Sequence, residues 1–530
     1  MSSSSAPQSG AGPGVIAEGP RLAAAVAGRG RPGLEAAARP LWRWWVWLLV
    51  AAAVIGGAVA LVLVTGMTPS FDAYGWLIWG HQLLYGNLNL NSAPSWKPLM
   101  IVFTLPMSLF GGATPPRLES IAMVAGTLAM APFAGRIVYR LMLADRGSIA
   151  GRRLRAAAWI GALFAAVGVL GMQGYGLPLH LSPPQSLWRL TFIADSDPMC
   201  AAIVLAAVDA HLSRRPRLAY VLLFCAGLNR PEAWPFLFLY GIYLLRRVPG
   251  SRVLVLGGWV MTLIAWYLPT AVAAKSIFQA SKLDQGKAVA IKGEPVLPVL
   301  RRWLTYYEWP MQAAAALGIL VGLVRRDRHV LVLTAATALW LVVEMAFAYH
   351  GFSAVARYMI EPAAVMIVVA GYGIAQALAG PSPALAGSAR AWRWTAGLLG
   401  PVLALGLIAG VGFFLHLRQR RVRDMVPAVR NFGVVKRHMS EAIAKAGGPR
   451  AILACGPPAA LNGYQTQLAW SMGVNGDHVM FNPPWLLSHH VRMVLFTETG
   501  LNGWVLRPYN VPAPLAAKCA RTVSVTVPSS

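Results

Sequence analysis

The chain has 530 residues, of which 57% are hydrophobic and only 12% charged, and its formal net charge is +27. A water-soluble domain carries about a quarter of its residues as charges, so this chain lacks the surface it would need in water. Its basic residues fall mainly in short loops between apolar blocks, where they orient membrane spans, and this excludes reading the charge as a nucleic-acid footprint.

Residues 1–40 are rich in Ser, Gly, Ala, Pro and Arg without a periodic apolar face, which predicts a disordered cytoplasmic tail. Arg39 and Arg43 precede the first apolar block, Trp44 to Thr65, and positive charge there keeps the N-terminus inside. Further spans are expected near 119–141, 155–172, 198–212, 217–229, 232–246, 252–272, 310–324, 329–349, 358–379 and 395–416. That makes about eleven crossings. The loops this map places inside hold Arg146, Arg152 and Arg153, then Arg214, Arg215 and Arg217, then Arg246, Arg247 and Arg252, then Arg325, Arg326 and Arg328, then Arg390 and Arg393, as the positive-inside rule requires. The three spans between 198 and 246 are shorter than the roughly 20 residues of a straight crossing. Leu99 to Phe110 is short, contains Pro106 and breaks the parity, so it reads as a re-entrant or surface helix on the outer side.

After the last span the composition changes. Short strands are expected around Leu453, over Met493 to Phe496 and over Thr522 to Val527, with a helix over Asn462 to Met472. The expected fold class is therefore a polytopic α-helical membrane protein: a transmembrane domain over 41–416, then a small extracytoplasmic α/β domain over 417–530. Outside the cell membrane Cys455 and Cys519 form a candidate disulfide, with two free thiols as the alternative. Cys200 and Cys225 lie in apolar blocks and read as packing residues, and no Cys/His set has zinc spacing. The basic run Arg418, Arg420, Arg421, Arg423 reads as a solvated juxtamembrane face or a contact for anionic lipid head groups.

The first outer segment holds Ser70-Phe71-Asp72-Ala73-Tyr74-Gly75-Trp76, then Trp79, then His81 to Asn87, then Ser95-Trp96-Lys97-Pro98-Leu99. An acidic residue just past the first span opens an aromatic amphipathic helix suited to the membrane interface. This order resembles the GT-C superfamily of glycosyltransferases, in particular its protein O-mannosyltransferase and lipid A aminoarabinose transferase branch. The matching positions are Asp72, Leu83 to Gly86, Lys97-Pro98 and Phe110-Gly111, with Leu99 where that branch has a second Pro. Ala356-Arg357-Tyr358 with Glu361-Pro362 resembles its Arg-Tyr-x-x-Pro element, and Asn229-Arg230-Pro231-Glu232 loosely resembles its Thr-Lys-Gly-Pro element. The layout is similar over roughly 44–416, and the chain also resembles membrane proteins of high-GC Gram-positive bacteria.

The resemblance implies transfer of a sugar, arabinose or mannose, from a polyprenyl-phosphate donor to a cell-envelope glycan, lipid or protein acceptor on the outer face. Such a reaction needs a base for the acceptor hydroxyl and cations for the departing phosphate. Asp72 fits the base, or alternatively caps its helix beside Ser70. Lys97 and Arg357 fit the donor phosphate, or alternatively are interfacial charges. Asp195 and Asp197 stand two residues apart and suit a divalent Mg, Mn or Ca ion, as a paired acidic motif does in the oligosaccharyltransferases; alternatively Asp197 before Pro198 caps a helix. His81 and His180 are candidates to assist proton transfer, and Arg230 and Glu232 to pair with each other or shape the donor site. The rival reading is a transporter or flippase of lipid-linked intermediates, which predicts internal repeats and midplane charges; no repeat is visible. In a third reading, a non-catalytic assembly protein, Asp72 is only a cap.

Overall fold

The protein is described here by a computed structural model covering residues 44–92, 96–143, 151–173, 186–285, 291, 293–380, 390–461, 463–481, 483–499, 503–519 and 523–525. The expected N-terminal tail and His180 lie outside these residues. The helices in chain order are α1 Trp44–Thr65, α2 Phe71–Leu84, α3 Pro98–Met107, α4 Thr114–Leu143, α5 Arg152–Leu170, α6 Leu187–Phe192, α7 Asp197–Leu212, α8 Pro216–Asn229, α9 Trp234–Arg247 and α10 Arg252–Ala273. They continue with α11 Gln279–Asp284, α12 Val296–Leu304, α13 Trp309–Arg325, α14 Arg328–Tyr349, α15 Ile360–Ala379 and α16 Arg390–Lys445.

Among the described residues, seven helices are long and apolar enough to cross a membrane: α1, α4, α5, α10, α14, α15 with the turn before it, and α16 from Leu399. The chain is a multi-pass membrane protein. The four other expected crossings are helical but shorter, α7, α8, α9 and α13. Helix α13 follows α12 across a bend of 105°. Leu99 to Phe110 falls on the ten-residue α3, which starts at Pro98 and contains Pro106. Pro at the first helical position costs nothing, because that N–H has no intrahelical partner.

Helix α15 is the centre of the bundle, buried on almost every face. Small residues allow this. A Cβ added at Gly371 would meet the Gly161 carbonyl of α5 at 2.7 Å, and one added at Gly373 would meet the Ala314 carbonyl of α13 at 2.5 Å. With no apolar driving force between helices in lipid, close backbone approach supplies the dispersion contacts that hold them together. Helix α1, by contrast, leaves most of its side chains exposed and presents them to lipid.

The C-terminal region departs from expectation at three points. Helix α16 runs unbroken through the expected boundary at 416/417, although it contains Pro401 and Pro427. Its 56 residues span about 84 Å at 1.5 Å per residue, far more than the bilayer core of about 30 Å. The last span therefore continues as the first element of the C-terminal region. Secondly, the stretch at Leu453 is helical, α17 Gly448–Cys455, not a strand. A four-residue apolar run does not distinguish the two states, and Pro449 at the start with Gly456 after the end frames a helix. Thirdly, the strand Trp504–Tyr509 was hidden by its internal Pro508.

The remaining elements are β1 Pro458–Ala460, α18 Gln465–Met472, α19 Pro483–Ser488, β2 Met493–Glu498, β3 Trp504–Tyr509, α20 Ala513–Cys519 and β4 Val523–Val525. They build one sheet of order β1-β2-β3-β4, with β1–β2 parallel and the other two pairs antiparallel. Pro508 pairs opposite Val494 beyond the reach of β4, so its missing N–H leaves no ladder position unfilled on that side. Cys455, at the end of α17, is disulfide-bonded to Cys519, at the end of α20. The sheet side chains Phe496 and Trp504, Leu468 and Met472 of α18, and Trp76 and Trp79 of α2 belong to one hydrophobic core. The C-terminal region thus packs on the first outer segment as a continuous body.

The disulfide is testable on the denatured chain. A maleimide-polyethylene glycol probe should label only Cys200 and Cys225 without reductant, and all four cysteines after reduction. Four labels without reductant would contradict the pairing.

Candidate active site

Four distant segments, joined by Lys97 from the entry to α3, meet at the end of the bundle that the span map places outside. The first is the start of α2. Ser70 is its N-cap residue but makes no side-chain cap bond, and Asp72 lies in the first turn. Asp72 does not serve as a cap: its carboxylate accepts a 3.1 Å hydrogen bond from Arg357 Nη1. The second segment is the turn between α6 and α7, where Ala194 takes a left-handed φ of 57° and is fully buried. That conformation costs an alanine about 1–2 kcal/mol and persists only where surroundings impose it. Here the Asp195 amide donates to the Leu190 carbonyl at 2.9 Å, and the Ser70 amide donates to the Ile193 carbonyl at 3.0 Å. The turn and the start of α2 are therefore held in one register.

The third segment is the end of α8 with the 3-10 turn Pro231–Ala233, which places Arg230 and Glu232. The fourth is the turn Ala356–Met359 entering α15, which places Arg357, Tyr358 and, in the first helical turn, Glu361. It too is preceded by a left-handed alanine, Ala354 with φ 38°. Arg302 of α12 fixes that turn by donating to the carbonyls of Ser353 at 3.0 Å and Ala354 at 2.5 Å.

Asp197 is the hub. It is the first residue of α7, where Ser196, not Asp197, is the capping position. Its carboxylate is fully buried and pairs with Arg230, with Lys97 at 3.4 Å and with Arg357 at 3.5 Å. Lys97, just before α3, also donates to Ser196 Oγ at 2.7 Å and lies over the Trp76 ring at 5.2 Å from its centroid. Arg230 is 3% exposed and also pairs with Glu232 and with Glu361, both at 3.3 Å, beneath the Tyr358 ring at 4.2 Å. Arg357 pairs with Asp195 as well as Asp72. Burial pushes the Asp195 carboxyl above its ordinary range, with Arg357 opposing and Asp197 adding to the rise.

Exposure divides the cluster into two layers. The side chains of Asp72 and Arg357 are 22% and 21% exposed, whereas those of Asp195, Asp197, Arg230 and Lys97 are at 10% or less. Asp72 and Arg357 form the partly exposed layer. The buried layer holds them in place. Three of the carboxylates, on Asp72, Asp197 and Glu361, stand in the first turns of helices, where the positive end of the macrodipole favours them.

Arg357 Nη1 donates to both Asp72 and Asp195 and so occupies the space between their carboxylates. Among the described residues no group of three or more His, Cys, Asp or Glu side chains is arranged to hold a metal. His81 is not brought to the cluster. It is exposed in the last turn of α2, with its ring 4.7 Å from Tyr85 and 6.3 Å from Trp470. That is about 13 Å along the helix from Asp72 at 1.5 Å per residue.

Glu344 is a neighbour of the cluster that motif reading left out, whereas Ser196 and Glu361 stood inside motifs with no role of their own assigned. Glu361 and Glu344 carry a readable signal, because an acid within an apolar span is costly and usually placed for a reason. Glu344 of α14 is fully buried within electrostatic reach of Glu232 and Arg230.

No protein-family model matches the chain, and no curated protein matches it significantly. Among solved structures it is similar to ArnT from Cupriavidus metallidurans bound to undecaprenyl phosphate. The TM-score is 0.46 and the identity 13%, over 92% of this chain and 99% of that one. The apo state of the same ArnT gives a TM-score of 0.45 and 12% identity, over 86% and 93%. At such scores the likeness establishes neither an activity nor a ligand for this chain.

Proposed function

We propose that the chain is a membrane glycosyltransferase that takes a sugar from a polyprenyl-phosphate donor and passes it to a hydroxyl of a cell-envelope acceptor outside the membrane. One observation supports this above the others. The two residues that reach the open side of the cluster are a carboxylate and a guanidinium in mutual contact, Asp72 and Arg357. These are the two groups that such a transfer needs. The order of motifs along the chain, similar to that of the GT-C enzymes, supplies the donor class.

In this mechanism the acceptor oxygen attacks the anomeric carbon of the donor. The bond from that carbon to the phosphate oxygen breaks, and the polyprenyl phosphate leaves with the electron pair. The hydroxyl proton passes to the Asp72 carboxylate. Arg357 turns from its carboxylate partners to the departing phosphate, which its planar fork can grip with two parallel bonds. Lys97 and Arg230 act behind this pair: they neutralise Asp197, and Asp197 in turn fixes Arg357. The donor is an amphiphile and would enter from lipid, and the exposed apolar side chains of α1 and α10 are of the kind that faces lipid.

Two outcomes are expected in membranes supplied with radiolabelled polyprenyl-phosphate arabinose or mannose. Asp72→Asn keeps the shape of the site and removes the base, so transfer should fall by about 10²–10⁴-fold while the protein level is unchanged. Transfer equal to wild type would reduce Asp72 to a structural partner of Arg357 and refute the mechanism. Secondly, because a guanidinium supplies the positive charge, transfer should persist in excess EDTA and be lost in Arg357→Gln. Loss of transfer in EDTA, restored by Mg, Mn or Ca, would reassign Asp195 and Asp197 as ion ligands.

A further inference from the structure

At the far end of α2 from Asp72, a shallow open groove of about 460 Å³ runs along the seam of three parts of the chain. The loop after α2 supplies Asn87, Asn89 and Asn91, the end of α10 supplies Lys275, and the C-terminal region supplies Asn475. Four of its five polar lining side chains are uncharged amides. Asn89, Asn91 and Asn475 already bond within the chain, and Asn87 keeps its donors and acceptor for a ligand. That chemistry suits a ligand whose hydroxyls each donate and accept. It does not suit a phosphate, which is bound by clustered cations or helix N-termini.

The groove is held rigid by bonds between its three parts. The Asn89 amide donates to Asp477 at 2.8 Å, and Gln82 of α2 donates to Asn475 Oδ1 at 2.5 Å. The Lys275 backbone amide donates to Asn91 Oδ1 at 2.7 Å, and the Leu90 amide donates to the Ala273 carbonyl at 2.8 Å. Gly476 lies so close to the loop that an added Cβ would meet Ser92 Oγ at 2.5 Å. The side chains of Asn87 and Lys275 are exposed and make no hydrogen bond among the described residues. The groove is thus preorganised, with polar groups still to be satisfied, and preorganisation lowers the entropic cost of binding.

We propose that this groove is a subsite for the carbohydrate chain of the acceptor, and that its ligand is a neutral oligosaccharide. The proposal rests on the transferase reading. Helix α2 spans about 21 Å at 1.5 Å per residue, with Asp72 in its first turn and the groove beyond its last. An acceptor glycan held here would be anchored several sugar units from its reacting end and would pass around α2, since Ala73 to Gly80 are buried. The loop after α2 and the end of α10, with Asn475 of the C-terminal region, then select the acceptor, and the Asp72–Arg357 cluster handles the donor.

The test is a binding measurement that requires no turnover. Saturation-transfer NMR would be run with arabinotetraose and with mannotetraose on the full chain in lipid nanodiscs. At least one should bind wild type and Asp72→Asn alike, and bind the double variant Asn87→Ala, Lys275→Ala about tenfold more weakly. Both substitutions are at exposed side chains and should leave the fold intact, which a matching melting temperature would verify. Binding of neither sugar, or equal binding by wild type and the double variant, would overturn the subsite. Because Asp72→Asn is expected to bind normally, these results are separable from failure of the transfer reaction itself.

Discussion

The site depends on a carboxylate with no access to water. Asp197 is fully buried, and its charge is tolerated only because Arg230, Lys97 and Arg357 approach it from three different segments. Removing one partner from such a buried set typically costs about 3–5 kcal/mol, since a desolvated charge is left uncompensated. This constraint draws together the start of α7, the entry to α3, the end of α8 and the entry to α15. It also fixes Arg357 from behind, and Arg357 orients Asp72. The open pair is therefore held by a buried layer whose own geometry is over-determined.

The second constraint acts from the C-terminal region. Thr466 Oγ1 donates to the Phe71 carbonyl at 2.6 Å, next to Asp72 in sequence. Lys436 of α16 donates to Thr68 Oγ1 at 2.8 Å and stands over the Tyr74 ring at 3.6 Å from its centroid. Helix α2 is thereby clamped between the bundle on one side and α16 with α18 on the other. In the proposed mechanism Asp72 is the base, and a base works best with its geometry fixed before the substrate arrives, which this clamp provides. The long α16 is what makes it possible, since one helix both crosses the membrane and continues along the domain.

Much of this was legible in the sequence, and the parts that were not have physical causes. Apolar block length located α1, α4, α5, α10, α14 and α15 to within a few residues, because a bilayer imposes a length that loops cannot imitate. Asp72, Lys97, Asp195, Asp197, Arg230, Glu232 and Arg357, all singled out in the sequence, are the seven that meet in the cluster with Glu361, since ionised groups beside apolar spans are few. The local Arg230–Glu232 pair was among the expected alternatives, but the other pairings were not legible, because contacts across up to 285 residues leave no local trace. Asp197 was ambiguous between cap and ligand, and it became a hub of cations through partners on other elements. The Leu453 helix and the Pro508 strand failed for a local reason, as short apolar runs and an internal Pro give conflicting signals.

The central claim is that Arg357 exchanges a carboxylate for the donor phosphate while Asp72 is freed to take a proton. A structure of the full chain in lipid nanodiscs with a polyprenyl phosphate bound tests it most directly. The expected result is a phosphate oxygen within hydrogen-bond distance of the Arg357 guanidinium, with its bond to Asp72 or Asp195 released. A phosphate seated elsewhere, with the Arg357–Asp72–Asp195 bridge unchanged, would contradict it.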